Sequence, residues 1–339
     1  MEDHKIRNME EFSSVSGISR PTISKYFNDP SSVRRSTRER IEQAIARYGY
    51  RPNLFAINQN RKLTKNIGII VPHIIDPFYA EIVRQIETRC IEAGYWAIVL
   101  GSHGDADRER SAIEMLYSLR IAGAIVAPLG DSSASDRIRK LAADIPTVIF
   151  DNHMDGDEVF VGTDNAQSMG LMVDYLCRSG APPCFLDMPA VNTNARERRE
   201  AYVRAMAEQG LQPHVIATQV SGWDFEELGY RAGLDLLPGG LPGQTVLCAN
   251  DRLAIGLIAA AYERGVPVGR GACGALRVAG HDDHPMARFT APGLTTVAQD
   301  YVAIAEASLT TLLYMIEDGV RPTQPLRRLE GRLILRASA

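Results

Sequence analysis

The sequence has few cysteines, few aromatic residues and no long hydrophobic run. Its five cysteines are scattered, their number is odd, and no two form a C-x-x-C pair. This spacing predicts reduced thiols rather than a disulfide framework or a zinc site. No segment reaches the roughly 18 consecutive apolar residues that a membrane span needs. The first 15 residues are polar and lack the apolar core of a secretory signal, so we expect a cytoplasmic protein without membrane association.

Signatures of catalysis and of nucleotide binding are also missing. The sequence contains no G-x-S-x-G motif, no P-loop, and no G-x-G-x-x-G after a predicted strand. These absences argue against a hydrolase with a nucleophile elbow, an NTPase and a Rossmann-type oxidoreductase. We therefore expect a protein that is not an enzyme and that binds neither a cofactor nor a metal.

Positive charge is concentrated at one end of the chain. Residues 1–66 contain 13 Lys and Arg against 7 Asp and Glu, whereas the rest contains 24 against 34. The 339-residue chain has a net charge of -4, which hides this asymmetry. A small basic segment on a larger acidic body predicts a polyanionic partner for that segment alone.

The first 50 residues show the start and stop signals of short helices. Asn8 followed by Glu11 resembles a capping box, and Gly17 then ends the helix. Ser19 can cap a second helix that has proline in its first turn. A third helix is predicted from about 36 to 48. The pattern predicts a small helical domain followed by a basic linker.

From residue 67 onward, short β-branched runs alternate with helical stretches. Continuous apolar strands between helices indicate parallel sheets that are covered on both faces. This alternation of strands and helices occurs in two successive sets, so we predict an α/β fold with two doubly wound lobes. Ligands of such sheets bind beyond the carboxyl ends of the strands, which places a site in the cleft between the lobes. The predicted strands are 67–72, 97–100, 122–128, 146–151 and 159–162, then 184–188, 215–220, 245–250 and 276–280.

One segment carries a specific motif. Residues 17–28 read G-I-S-R-P-T-I-S-K-Y-F-N, which resembles the recognition helix of the lac/gal repressor family. The resemblance extends over essentially the whole chain, and its other landmarks occur in family order. They are V-R-R-S-T-R-E-R-I (33–41), Y-R-P-N (50–53), I-D-P-F-Y (75–79), C-A-N-D-R-L-A-I-G (248–256), A-G-H-D-D (279–283) and L-T-T-V-A-Q-D (294–300).

The resemblance implies three parts. Residues 1–51 would form a helix-turn-helix DNA-binding headpiece, residues 52–66 a hinge helix and linker, and residues 67–339 an effector sensor. Lobe 1 of the sensor would comprise about 67–162 and 297–322, and lobe 2 about 163–296 and 323–339. A family member of this kind is a transcription regulator, most simply a repressor, whose operator affinity depends on a small effector bound between the lobes.

The resemblance also implies which headpiece residues contact DNA. Arg20, Pro21 and Lys25 occupy the positions that the family uses to read bases, and arginine can bind both acceptors of a guanine. A helix N-terminus in the major groove can present such side chains to base edges. The alternative is a solvated three-helix bundle with incidental basic residues. Phosphate contacts are expected from Ser19, Thr22, Ser24 and Asn28, and hinge contacts from Asn53, Ala56 and Gln59.

The hinge departs from the family at Gln59. Relatives usually insert a leucine between base pairs at this position, and such apolar wedges kink the duplex. Glutamine is a poor wedge because its amide must stay hydrogen-bonded. We expect weaker operator bending, although Phe55 or Ile57 could act as the wedge in a shifted register. The hinge could also remain unfolded.

For the sensor, the resemblance implies a set of effector contacts that suits a carbohydrate. Carboxylates and amides pair with hydroxyls, and aromatic faces cover the apolar side of a sugar ring. Other interpretations remain open. Phe78 and Tyr79 could be core residues, and Asp151, Asp282 and Trp223 could cap helices. Two of the three arginines at positions 196, 198 and 199 should be solvated. The expected contacts are His73, Asp76, Phe78, Tyr79, Asp151, Arg198, Trp223, Asn250, Asp282 and Gln299.

Histidines raise a separate question about the effector. His73, His281 and His284 could suggest a metal, but the family has none there. His281 stands where relatives usually have an aromatic residue, so it or His73 could donate a hydrogen bond or, when protonated, pair with a sugar acid.

Three other classes of protein share parts of this pattern. A periplasmic sugar-binding protein would need a signal peptide, a Rossmann-type enzyme a glycine-rich turn, and a purine-responsive repressor a more aromatic pocket. No leucine heptad follows the last strand-like segment, so we expect a homodimer rather than a tetramer.

Overall fold

The structure is a computed structural model that describes residues 6, 8–51, 64–130, 133–154, 156–217, 222–239, 243–270 and 275–339. The chain divides into two compact units, Met1–Lys65 and Asn66–Ala339. We call the first unit the headpiece and the second the sensor. None of the described helices combines the length and the apolar character that crossing a membrane requires.

The secondary structure alternates as the sequence predicts. The helices are α1 (Met9–Ser16), α2 (Arg20–Asn28), α3 (Arg35–Tyr48), α4 (Pro77–Glu92), α5 (Ala106–Ser118), α6 (Ser135–Asp144), α7 (Asn165–Ser179), α8 (Thr193–Glu208), α9 (Phe225–Gly239), α10 (Asp251–Glu263) and α11 (Tyr301–Asp318). The strands are β1 (Asn66–Val71), β2 (Trp96–Gly101), β3 (Gly123–Val126), β4 (Thr147–Phe150), β5 (Phe160–Thr163), β6 (Cys184–Leu186), β7 (Val215–Ile216), β8 (Thr245–Cys248), β9 (Arg277–Ala279), β10 (Thr296–Ala298), β11 (Leu326–Leu329) and β12 (Arg332–Ile334). The described residues also include 3-10 turns at Pro30–Ser32 and Ala287–Phe289.

The described part of the headpiece packs three helices around a small apolar core. The Asn8 side chain accepts the backbone N–H of Glu11 and begins α1, as predicted. Glycine in the left-handed region ends both α1 and α3, where a side chain would be strained. Phe12 stacks on Tyr50 with ring centroids 4.3 Å apart, and Ile23 from α2 is fully buried in the same cluster. This core holds α2 in place and leaves its opposite face exposed.

Lobe 1 of the sensor is built on a six-stranded, wholly parallel sheet. Its strand order is β11-β5-β4-β3-β1-β2. Side chains from β1 alternate between two apolar clusters, with Ile69 on the face covered by α4 and α11 and Ile70 on the face covered by α5 and α6. Burial on both faces explains why these strands read as continuous apolar runs.

Lobe 2 has a four-stranded parallel sheet in the order β7-β6-β8-β9. β10 pairs with β12 in an antiparallel ribbon, and a bridge from Ala279 to Thr295 links this ribbon to β9. α9 and α10 cross where only glycine fits, because a Cβ on Gly256 would lie 2.0 Å from the Glu226 carbonyl oxygen. The predicted α/β fold with two parallel sheets is confirmed.

One predicted lobe boundary is wrong. We expected residues 323–339 to belong to lobe 2, but β11 pairs in parallel with β5 and extends the lobe 1 sheet. The chain returns to lobe 2 only at β12. The edge of β5 needs a pairing partner, and this long-range pairing leaves no signal in the local sequence.

Candidate functional sites: the headpiece surface and the interlobe cavity

The N-terminal turn of α2 presents most of the predicted DNA contacts at the surface. Ser19 occupies the N-cap position, but its hydroxyl lies 2.8 Å from the Thr22 hydroxyl and makes no capping hydrogen bond to the backbone. Both hydroxyls therefore lie together at the start of the helix. Exposed residues are Ser19, Arg20, Pro21 and Lys25, and partly buried ones are Thr22 and Ser24.

Arg20 keeps its guanidinium available to a ligand. Its nearest acidic group is Glu10, at an N–O distance of 3.5 Å, and both side chains are largely exposed. Such surface pairs contribute little to stability and are easily exchanged for another anion. The predicted contacts Asn53, Ala56 and Gln59, and the side chain of Asn28, lie outside the described residues.

In the sensor, a cavity of about 40 Å³ lies between the two lobes. This volume is far below the roughly 300 Å³ at the lower end of small-molecule pockets, so the cleft is closed. The cavity brings together nine of the ten predicted effector contacts: Asp76, Phe78, Tyr79, Asp151, Arg198, Trp223, Asn250, Asp282 and Gln299.

Arg198 and Asp282 form the polar centre of the cavity. The Arg198 guanidinium donates to Asp282 Oδ1 at 2.9 Å, to the Ala249 carbonyl at 2.9 Å and to Asn165 Oδ1 at 3.0 Å. Gln299 Nε2 donates to the same Asp282 oxygen at 2.7 Å. Burial raises the pKa of Asp282, but Arg198, His281 and Gln299 together outweigh this effect and lower the pKa below its usual value. The Asp282 carboxylate is therefore held charged, and none of the described residues donates a hydrogen bond to its Oδ2, which can accept one from a ligand.

Arg198 is buried, whereas its neighbours Arg196 and Arg199 are exposed, as the sequence predicted. Helix periodicity accounts for this difference, because only one of the three positions faces the cavity.

Asp151 connects the lobes from the end of β4. Its carboxylate accepts the Tyr79 hydroxyl at 2.7 Å and, from lobe 2, Asn194 Nδ2 at 2.8 Å. Its backbone lies in the left-handed region, with φ of 65°, so it is a turn residue and not a helix cap. Burial raises the pKa of Asp151 to about 6.

Asp76 is both a helix cap and part of the cavity wall. One carboxylate oxygen accepts the Phe78 N–H at 3.0 Å and begins α4, while the other accepts Arg252 Nη1 of lobe 2 at 2.9 Å. Arg252 also forms two hydrogen bonds with Glu226, at 2.8 and 2.7 Å. Burial raises the pKa of Asp76.

Sequence reasoning missed Arg252 and several other lining residues. Arg252 stands two positions after Asn250 in the motif C-A-N-D-R-L-A-I-G (248–256), but only the crossing of α9 and α10 brings it to Glu226. The cap pattern before α8 could have indicated Asn192, whose side chain accepts the Ala195 N–H at 3.0 Å. The missed lining residues are Met188, Asn192, Asn194, Phe225, Arg252 and His284.

His73 and His281 lie beside the cavity and do not line it. The His73 ring packs 4.9 Å from that of Trp223, which contacts the apolar clusters of both lobes. His281 is fully buried between Ser168 Oγ at 2.8 Å and Asp282 Oδ1 at 2.9 Å. Burial lowers the pKa of His73, and lowers the pKa of His281 to about 4. Both rings are therefore neutral at neutral pH.

Comparison with known proteins identifies the family. A profile described as bacterial regulatory proteins, lacI family, matches residues 8–53, and one for a periplasmic binding protein-like domain matches residues 175–339. The ribose operon repressor of Escherichia coli (strain K12) is 30% identical over 331 residues, which cover 96% of this chain and 97% of the repressor. The chain belongs to the lacI family. The resemblance inferred from the sequence is therefore confirmed.

Solved structures share the lacI-family fold over nearly their whole length. The Lac repressor dimer bound to operator and the anti-inducer ONPF is 24% identical, with a TM-score of 0.84 over 98% of this chain and 99% of that one. A LacI family transcriptional regulator from Enterococcus faecium with bound ribose is also 24% identical, with a TM-score of 0.69 over 80% of this chain and 98% of that one.

Membership of the lacI family makes the chain a DNA-binding transcription regulator with a ligand-binding domain. Its named relatives are repressors and not enzymes.

Proposed function

We propose that this lacI-family protein is a cytoplasmic repressor without catalytic activity that binds a pseudo-palindromic operator as a homodimer. A neutral sugar or sugar derivative in the interlobe cavity controls that binding. The arrangement of the cavity wall carries the proposal, because charged and amide groups from both lobes converge on one small space. The Lac repressor dimer bound to operator and the ribose-bound regulator share this fold, and their ligands support the assignment by analogy.

The polar groups of the cavity suit a polyol. Asp282 and Asp151 can accept sugar hydroxyl protons, Arg198 and Asn250 can donate to sugar oxygens, and Phe78 can cover an apolar ring face. Sugar binding would replace hydrogen bonds that the lobes now make with each other, such as Asp76 with Arg252. The effector would thereby alter how the lobes close on each other.

The charges favour a neutral sugar over a sugar acid or phosphate. Three carboxylates, those of Asp76, Asp151 and Asp282, face the cavity together with two guanidinium groups. The histidines add no positive charge at neutral pH, because burial lowers the pKa of His73, His281 and His284. A protonated histidine that pairs with an anionic effector is therefore disfavoured.

DNA binding is assigned to the exposed start of α2, with Arg20 and Lys25 reading bases and the hydroxyls of Ser19, Thr22 and Ser24 contacting phosphates. Asn28, Asn53, Ala56 and Gln59 keep the roles that the family resemblance implies. Effector and operator binding must affect each other reciprocally if both sites bias the same equilibrium between sensor states.

A thermal-shift panel followed by DNA binding tests the proposal. D-ribose, D-glucose, D-galactose, D-gluconate, D-ribose 5-phosphate and guanine are each added to the full chain. A ligand at 100 times its Kd stabilises the folded protein by about 2.7 kcal/mol, so a binder raises the melting temperature clearly. The operator is selected from random duplexes, and the same sugar should change its Kd. Stabilisation by guanine alone, or by the anionic compounds alone, would contradict the assignment of a neutral sugar.

A further inference from the structure

His284 occupies a fixed position in the cavity wall. It follows β9, is only 6% exposed and lines the cavity between the lobes. Its backbone N–H donates to Asp251 Oδ2 at 2.7 Å, and its ring Nδ1 accepts the Met286 backbone N–H at 3.0 Å. Two hydrogen bonds therefore fix both the backbone and the orientation of the ring.

The hydrogen bond from Met286 determines which ring nitrogen carries the proton. Because Nδ1 accepts an N–H, the proton of the neutral imidazole must be on Nε2. Burial lowers the pKa of His284, which favours this neutral ring at neutral pH. Nε2 is buried, and none of the described residues accepts a hydrogen bond from it. A buried donor without an acceptor costs free energy, and a ligand oxygen in the cavity would remove that cost.

The groups around His284 determine the kind of acceptor that would fit. Asp76, Glu226 and Asp282 surround the ring with negative charge, and Arg252 adds one positive charge that is already paired with two of these carboxylates. An anionic ligand group at this place would be repelled. A hydroxyl, ring or carbonyl oxygen would accept the N–H without adding charge.

We propose that His284 is an effector-contact residue whose Nε2–H donates to a neutral oxygen of the sugar in the interlobe cavity. The proposal rests on the proposed function, since it assigns a further contact in the same site. It adds a further hydrogen-bond donor to those that Arg198, Asn250 and Gln299 provide. It also gives the turn 281–284 a direct part in selecting the effector, in addition to the part of Asp282.

Two substitutions separate the contact with a sugar from support of the turn. His284→Asn places a carbonyl oxygen near the position of Nδ1, so it can keep the bond from Met286 while it lacks a donor at Nε2. His284→Gln places an amide N–H near Nε2 and loses the acceptor at Nδ1. His214→Asn, at an exposed position of lobe 2, is the matched control.

Calorimetric titration of the full-length chains with D-ribose, D-glucose and D-galactose is the test. For the sugar that binds the wild type most tightly, His284→Asn should weaken binding by about tenfold or more, whereas His284→Gln should stay within about threefold of the wild type. Melting temperatures should show the opposite order, with the larger decrease in His284→Gln. The control should match the wild type in both measurements.

Each other outcome overturns the proposal. If His284→Asn binds the sugar as tightly as the wild type does, the Nε2 contact does not exist, although the effector site itself stands. If His284→Gln loses as much affinity as His284→Asn, the histidine only supports its turn. If the wild type binds none of the three sugars, the proposed function fails for them, and the assignment of His284 fails with it.

Discussion

Arg20 is the residue on which sequence-specific DNA binding should depend most. It stands in the first turn of α2, is exposed, and pairs only loosely with Glu10 at 3.5 Å. A guanidinium can bind both major-groove acceptors of guanine, whereas the ammonium of Lys25 acts as a point charge. At the residue scale, we therefore expect the specificity of the headpiece to depend on a planar donor group that no other residue of the protein binds tightly.

Arg20→Ala should weaken binding to the selected operator by about 1–3 kcal/mol and relax base preference at one position in each half-site. Fluorescence anisotropy on the operator and its single-base variants measures both effects. Arg110→Ala removes the same charge from an exposed site on the sensor and serves as the control. A uniform loss of affinity for all sequences would show that Arg20 contacts phosphate and not a base.

The turn after β3 and the turn before α8 bring the two lobes into close contact. Gly130 has φ of 97°, and an added Cβ would lie 2.5 Å from the Cα of Asn192 and 2.6 Å from the carbonyl oxygen of Val191. Backbone atoms cannot move aside as a flexible side chain can. At the scale of these elements, a residue without a side chain is what allows the closed cleft.

Gly130→Ala should hold the cleft partly open. Spin labels at Asp136 in lobe 1 and Glu208 in lobe 2 should report a longer distance than in the wild type, and sugar affinity should fall by about tenfold or more. Gly319→Ala is the matched control, because Gly319 also has a positive φ but a Cβ there meets nothing within 4 Å. An unchanged label distance in Gly130→Ala would mean that the closed cleft does not depend on this contact.

Glu197 connects the lobes outside the cavity. From α8 of lobe 2, its carboxylate accepts His153 Nε2 at 2.9 Å and Arg328 Nη2 at 3.0 Å, both from lobe 1. Asn165 also donates to it at 2.7 Å. Burial raises the pKa of Glu197, but these hydrogen bonds outweigh that effect and bring it to about 2. The bond to Glu197 likewise raises the pKa of His153.

At the scale of the whole molecule, these shifts make the stability of the sensor depend on pH. The lowered pKa of Glu197 stabilises the folded state above its ordinary value of 4.5, and this contribution is lost as pH falls toward 2. The raised pKa of His153 stabilises the folded state below its ordinary value of 6.5, and this contribution is lost as pH rises through the folded value. Both contributions to the free energy of unfolding are therefore fully present between pH 4.5 and pH 6.5.

Glu197→Gln should therefore lower sensor stability most near pH 5.5, by about 1–3 kcal/mol. The difference from the wild type should shrink at pH 9, where His153 is neutral, without vanishing, because Arg328 stays charged. It should also shrink at pH 3, on the way to protonation of Glu197. Thermal unfolding of the full chain at the three pH values measures this. A difference in stability that is the same at all three pH values would exclude a contribution from the protonated His153.

Much of this fold follows from short-range patterns that the sequence shows directly. Apolar runs of four to six residues mark strands such as β1 and β4, and Asn8 and Gly17 mark the ends of α1. These signals are local, because helix caps and strand burial act on neighbouring residues. The family motif at 17–28 then identified the class of protein, which composition alone could not do.

Only the tertiary structure decided which polar groups meet. Asp76 and Arg252 are 176 positions apart in sequence, yet their side chains touch across the lobes. β11 joins lobe 1 because β5 offers a free edge, and Glu197 finds partners on two separate segments. Contacts between distant segments depend on how sheets and helices pack, and packing imposes no period or spacing on the chain. For that reason the sequence determined the elements and the family, and the packing of the two lobes determined the cavity.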